Sequence, residues 1–378
     1  MPLPTPSDDA RRNSAQLVDH IQAELESAGG WLSFARYMEL ALYTPGLGYY
    51  SGGSRKFGAA GDFVTAPEIS PLFGRVLARQ ISEALDQCGG QILELGAGTG
   101  KLAAQVVGEL NRLGKQAPYS ILDVSGELRQ RQRETLAQAG LIDHVFWLDT
   151  LPENFTGVIF GNEVLDAVPV HLVHWTNSGP LERGVIWQGD QFHWQDQPIS
   201  DPLLRERARS FDLPTGYTSE INLAAPALVT GLGCRLNAGM ILFIDYGFGR
   251  SEYYHAQRHM GTLRAHYRHH ALDDPFYLPG LCDLTAHVDF TAIADAGLDA
   301  GLSLLGYTSQ AHFLLNGGMT ALLAETPAGE AARYLPQTAA VQKLISPAEM
   351  GELFKVIGFG KGVTPPSGFT AGSLTRLL

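Results

Sequence analysis

The sequence predicts an α/β protein built on an open parallel sheet with helices on both faces. Between Gln91 and about Gly249, short apolar runs alternate with helix-like segments, the pattern of repeated strand–helix–strand units. The first run, Gln91-Ile92-Leu93-Glu94-Leu95, passes through Gly96-Ala97-Gly98-Thr99-Gly100 directly into the helix-like 101–107 (KLAAQVV). Strand, glycine turn and helix in succession are the opening of a nucleotide-binding unit. Composition agrees: 378 residues, 45% hydrophobic and 17% charged, suit one α/β domain with substantial additions.

In chain order, a Pro-rich tip precedes a helix expected over about 14–28. Residues 31–74 are dense in Gly, Pro and aromatics, including 43–50 (YTPGLGYY) and 61–74 (GDFVTAPEISPLFG), and read as a shaped loop serving as a lid, with Gly61 and Gly74 as hinges. After the glycine turn, Tyr119-Ser120-Ile121-Leu122 is a second strand ending at Asp123-Val124, and Ser125 is placed to cap the helix that follows. Val145-Phe146-Trp147-Leu148 is a third strand ending at Asp149, 157–161 (GVIFG) a fourth running into Asn162-Glu163, and 240–247 (MILFIDYG) a fifth. A polar interruption at 174–198 carries Trp175, Trp187 and Trp194 around turns at Ser178-Gly179 and Gly189-Asp190 and reads as an inserted β-hairpin, its tryptophans packing rather than stacking on bases. Further helices are expected at 285–298 and 347–357. The domain reading is a helical and lid region over 1–87, a core over 88–250 with an insertion at about 174–215, and a part over 251–378 that completes core and acceptor cleft.

Charge and cysteines narrow the function class. A net charge of −12 argues against a phosphate-tracking nucleic-acid binder, which needs clustered Lys and Arg. Three scattered cysteines have neither metal-ligand spacing nor a disulfide framework. No apolar run is long enough to span a bilayer, and the expectation is a soluble cytoplasmic protein with no membrane insertion. A homodimer is compatible with the sequence.

Ligands of an open parallel sheet sit beyond the carboxyl ends of its strands, where the chemistry-bearing residues collect. Gly96, Gly98 and Gly100, with Ala97 between them, allow a sharp bend and close backbone approach to a ligand. The spacing from Glu94 is E-x-G-x-G-x-G rather than the dinucleotide G-x-G-x-x-G, and it resembles the first motif of the seven-stranded S-adenosylmethionine methyltransferases. A dinucleotide site and a purely structural turn remain as alternatives. Asp123 and Val124 lie where a ribose diol would be held, the other reading being a helix-cap role. Asp149 is placed for an adenine amino group or for a simple turn. Asn162, Glu163 and Asp166 put an amide and two carboxylates over the cleft; a helix opening there would put both acids on one face, or the segment is merely a capped helix start. Glu68, Glu220 and His287 are further candidates, whereas His266, His269 and His270 fit a loop.

Taken together, 61–74, 94–100 (ELGAGTG), 162–169 (NEVLDAVP), 244–247 (IDYG), 261–265 (GTLRA), 279–290 (PGLCDLTAHVDF) and 350–356 (MGELFKV) resemble the MidA-like S-adenosylmethionine-dependent methyltransferases, a family that includes a mitochondrial complex I assembly factor. Departures are Ala97 and Thr99, where the family commonly has Pro and Arg, and Asp123, where it has Glu. The resemblance implies a seven-stranded Rossmann-like core with an N-terminal lid, S-adenosylmethionine as cofactor, and methylation of a protein arginine, for example in a complex I subunit; the cysteine and histidine spacings lead to the expectation of no metal. Glu163 is the first candidate for orienting the guanidinium and taking its proton, Asp166 the second, with Glu68 and His287 behind them. Alternatives are a cofactor-binding assembly factor without turnover, a methyltransferase for another nucleophile, and an NAD-dependent oxidoreductase.

Overall fold

The computed structural model describes residues 3–52 and 65–378. The chain forms two compact units, each assembled from separated stretches: Met1–Phe63, Asp166–Ala225 and Arg250–Asp289 in the first, Val64–Leu165, Pro226–Gly249 and Phe290–Leu378 in the second. These units cut across the expected consecutive segments. The chain leaves the second unit at Leu165, returns at Pro226, leaves again at Gly249 and returns at Phe290.

The second unit holds the large mixed sheet. Its path is built from β1 (Gln91–Leu95), β2 (Tyr119–Leu122), β3 (Val145–Leu148), β4 (Phe155–Asn162), β5 (Leu236–Phe248), β6 (Ser303–Ser309) and β7 (Phe354–Lys361), in the order β6-β7-β5-β4-β1-β2-β3. From β5 to β3 neighbours are parallel; β7 runs antiparallel to both β5 and β6. The order reverses between β1 and β4, which makes the crevice at their carboxyl ends the switch point where such folds bind ligands. Helices α1 (Pro71–Cys88), α2 (Lys101–Arg112) and α3 (Gly126–Gln138) flank the sheet strands in sequence. Val158, Ile92 and Ile121 from the strands and Val76, Phe73, Ala103 and Val106 from the helices share one core. Burial on both faces is why the central strands β4 and β5 read as nearly continuous apolar runs with little polar alternation.

That same rule explains the strand β7, which replaces the helix expected over 347–357. Val356, Ile357 and Phe359 are completely buried, so the apolar spacing reflects a two-faced central strand and not a helical stripe. Helix Phe290–Asp299 begins later than expected, with short strands at Asp283–Thr285 and Val288–Asp289 before it.

The first unit is mainly antiparallel. Strands Leu32–Ser33, Gly179–Gln188, His171–Thr176 and Thr218–Ile221 form a path with Gln191–Pro198 added on Gly179–Gln188. The expected hairpin is present, with Gly189 and Asp190 at φ 58° and 64° in its turn, but it belongs to this five-stranded sheet. Trp175 packs on Tyr217 and donates to the Ala208 carbonyl at 3.1 Å, and Trp187 lies 4.8 Å from Phe192, so these rings are core. The N-terminal helix runs Asp8–Ser27, earlier than expected, because Ser7 caps it and Asp8 and Asp9 favour its first turn. No helix among the described residues is long and apolar enough to cross a membrane.

Candidate cofactor cradle and active site

The glycine turn leaves β1 at the switch point with Gly96, Gly98 and Gly100 all at positive φ, 61°, 51° and 81°. Their surroundings differ. A β-carbon on Gly96 would come 3.1 Å from Val164, and one on Gly100 would come 2.9 Å from the Gln132 Cα, whereas Gly98 has nothing within 4 Å. Gly96 and Gly100 are thus glycine for packing; Gly98 faces open space, as a ligand approaching the backbone requires. Gly100 also caps α2 without a side-chain hydrogen bond, leaving first-turn amides for a ligand.

Helix α3 clamps this turn. The Gln132 amide donates to the Gly98 carbonyl at 3.2 Å and to Asp123 Oδ2 at 2.7 Å, while its carbonyl accepts from Trp147 Nε1 at 2.8 Å. Thr135 Oγ1 donates to the Thr99 carbonyl at 2.7 Å. Neither residue stood out in the sequence, since a Gln and a Thr on a polar helix have no pattern to betray them. Asp123 accepts a second bond from the Ser125 amide at 2.9 Å, and Ser125 caps α3 as expected. Burial pushes the Asp123 carboxyl up, against the Ser125 amide, Gln132 and Arg129, which favour its charged form. Next to it Val124 is 81% exposed, an apolar side chain presented at a strand end.

The other expected cofactor residues divide. Glu94 is 2% exposed and accepts from the Tyr119 hydroxyl at 2.7 Å; burial first, against that bond and with Asp123 nearby, raises its carboxyl to about 8. Its side chain serves the strand interior and not the open cleft. Asp149 is exposed and paired with Arg129, whose guanidinium also donates to the carbonyls of Asp123 and Leu148. Asn162 Nδ2 donates to Glu163 Oε1 at 3.0 Å, and its Oδ1 is buried without a hydrogen-bond partner among the described residues.

Glu163 sits at φ 53°, an uncommon conformation for a residue with a side chain. Its amide donates to the Ile244 carbonyl at 2.9 Å, and Asp245 Oδ2 accepts from the amides of Val164 and Leu165 at 3.1 and 2.8 Å. The buried Asp245 therefore pins the turn after β4 to β5. Residues 163–166 form turns and no helix, so the expected shared helical face of Glu163 and Asp166 does not exist. Asp166 instead opens the first unit's stretch, where its carbonyl accepts from the Ala286 amide at 3.0 Å.

The remaining candidates are corrected by their partners. Glu68 lies on the short helix Ala66–Ile69, accepts from Thr99 Oγ1 at 2.8 Å and pairs with Lys101; it braces the glycine turn and is not an open acceptor-site acid. Gly74 is inside α1, where a β-carbon would come 2.4 Å from that of Gln105, so it is a close-packing residue and not a hinge. Gln105 also donates to the Pro67 carbonyl and accepts from the Gly74 amide, fixing 66–74 to α2. Gly61 and the start of the expected lid lie outside the described residues. Glu220, in the first unit, is saturated by the amides of Thr262 and Leu263 and the hydroxyls of Thr262, Tyr253 and Ser219. The His287 amide donates to Thr262 Oγ1 at 3.0 Å. His266 is pushed down to about 4 by burial, then by Arg264, and stays neutral near pH 7; His269 forms a turn at φ 65°.

Residues 76–308, more than half of the chain, match the family described as S-adenosyl-L-methionine-dependent methyltransferase. The chain belongs to that family. It is 51% identical, over the full length of both chains and with a TM-score of 0.96, to the crystal structure of a superfamily member from Burkholderia thailandensis bound to S-adenosyl-homocysteine. Among curated proteins, the Drosophila melanogaster protein arginine methyltransferase NDUFAF7 homolog is 28% identical over 401 residues, 95% of this chain and 88% of that protein, and the Homo sapiens NDUFAF7 is 28% identical over 384 residues, 89% and 82%. These relatives are named as mitochondrial proteins, which overturns the cytoplasmic expectation. S-adenosylmethionine is the family's cofactor. The open Gly98, the start of α2 without a side-chain cap and the strand-end carboxylate fit it.

Proposed function

We propose that the protein methylates an arginine side chain of a protein, using a seven-stranded methyltransferase core formed by the path β6-β7-β5-β4-β1-β2-β3. The observation that carries the acceptor is the near-full-length similarity to proteins named protein arginine methyltransferase. Glu163, held in an unusual backbone conformation just after β4 at the switch point, supports it chemically.

On this reading the glycine turn and α2 hold the amino-acid end of the cofactor, Asp123 accepts from its ribose hydroxyls, Val124 packs on its adenine, and Asp149 and Asn162 border it. The bound cofactor supplies a methyl group on a sulfonium. An arginine nitrogen forms the new bond to the methyl carbon as the carbon–sulfur bond breaks, with that electron pair remaining on sulfur. The substituted guanidinium then releases one proton. Glu163 orients the guanidinium through paired N–H bonds and takes the proton on its carboxylate. Because the reaction is a displacement with little charge to create, alignment and exclusion of water supply most of the acceleration.

The acceptor to try first, from the resemblance, is an arginine in a respiratory complex I subunit. Purified protein, labelled S-adenosylmethionine and that subunit, followed by peptide mapping, test the reading. Label on arginine is expected; label on a lysine, a carboxylate or a small molecule overturns it.

A further inference from the structure

Gln132 is completely buried, yet each polar atom of its side chain is used. Its amide nitrogen reaches two places that a ligand would also touch, the Gly98 carbonyl of the glycine turn and the Asp123 carboxylate at the end of β2. Its carbonyl is fixed by Trp147 on β3, and the Arg133 guanidinium lies 4.5 Å over that indole ring. The backbone of Gln132 also supplies the wall against Gly100, where a β-carbon would come 2.9 Å from its Cα. A group needed only to fill the α3–sheet interface would be apolar, since burying an amide demands every partner.

We propose that Gln132 is a positioning residue for the cofactor, setting its affinity by holding the Asp123 carboxylate toward the ribose hydroxyls and the Gly98 carbonyl in register with it. This rests on the ribose role given to Asp123 above. Among the described residues Asp123 has two donors, the Ser125 amide and Gln132, so removing Gln132 frees the carboxylate to turn. The charged and titratable groups facing Asp123 are Arg129, which donates to its carbonyl, and the buried Glu94. Gln132 favours the charged carboxylate against the burial that disfavours it.

The test is calorimetric binding of S-adenosyl-homocysteine to the full chain as wild type, Gln132→Met, Asp123→Asn and the double variant, with thermal melting to confirm folding. Each single change is expected to weaken binding roughly tenfold, the loss of one hydrogen bond to a charged group. The double variant should be weaker than Asp123→Asn by far less than another tenfold, because both act through one carboxylate. Losses that multiply overturn the role of Gln132 while leaving Asp123 as a ligand; wild-type binding by Asp123→Asn overturns the ribose role, and this inference with it. Gln132→Glu gives an independent check should the Met variant not fold. It keeps an oxygen for Trp147 and regains a donor only when protonated, so its affinity should recover as pH is lowered, whereas wild-type affinity falls. Absence of that recovery would leave Gln132 a packing residue.

Discussion

Two glycine turns in this protein are each linked to a buried carboxylate, one through Gln132 and the other directly, and they are built for opposite ends. In the second unit, Gly98 has open space on its β-carbon side, and Asp123 at the neighbouring strand end accepts from two donors among the described residues, the Ser125 amide and Gln132. In the first unit, a β-carbon on Gly261 would come 2.4 Å from Glu220, which accepts from five donors among the described residues. A carboxylate has about four lone-pair sites, so Glu220 has no capacity left for a ligand while Asp123 does. In the sequence both are candidate site acids; the donor count separates a ligand site from a structural clamp.

The comparison is broken most directly at Gly98. Gly98→Leu puts a side chain into the open space and into a strained backbone conformation, and should weaken S-adenosylmethionine binding roughly 100-fold or more by calorimetry. Unchanged affinity would remove the cradle from the second unit. Glu163→Gln should leave that affinity nearly constant and lower the methyl-transfer rate about 100-fold, since charge and proton acceptance are lost while shape is kept. A variant with full turnover would assign the proton to another group.

Smaller effects sharpen the contrast. Glu220→Gln turns an amide toward donors that need acceptors, so it should lower unfolding free energy by about 2 kcal/mol in urea titrations and leave cofactor binding intact. Weaker cofactor binding without loss of stability would make Glu220 a ligand residue after all. A pH-dependent effect is expected at Glu94, whose folded carboxyl titrates at about 8 while the unfolded one follows its ordinary value. Between those values the folded state keeps a proton that the unfolded state has released, so stability falls as pH rises toward 8. Glu94→Gln should flatten that slope, read as a smaller difference between urea midpoints at pH 5 and pH 8 than in wild type. Glu109 contrasts with it: burial pushes its carboxyl up, but Arg112 and Arg75 outweigh burial and bring it to about 2. A charge kept by three arginines needs no proton.

Local sequence determined the strand–turn–helix run from Gln91 to Arg112, the strand ends at Leu122, Leu148 and Asn162, and the cap at Ser125, because each depends on neighbours within a few residues: apolar runs, glycines at positive φ, a hydroxyl beside free amides. Tertiary structure alone decided that 354–361 is a strand, since burial on two faces erases the alternation that marks one. It decided that the acids at 68 and 220 are spent on Thr99 and Lys101 and on the 261–263 turn, and that Gln132 reaches the glycine turn from the next helix. Motifs show which residues have the chemistry to bind a ligand; which of them still have lone pairs to offer depends on donors that folding brings up, as it brings the Thr262 and Leu263 amides to Glu220 from more than forty residues away.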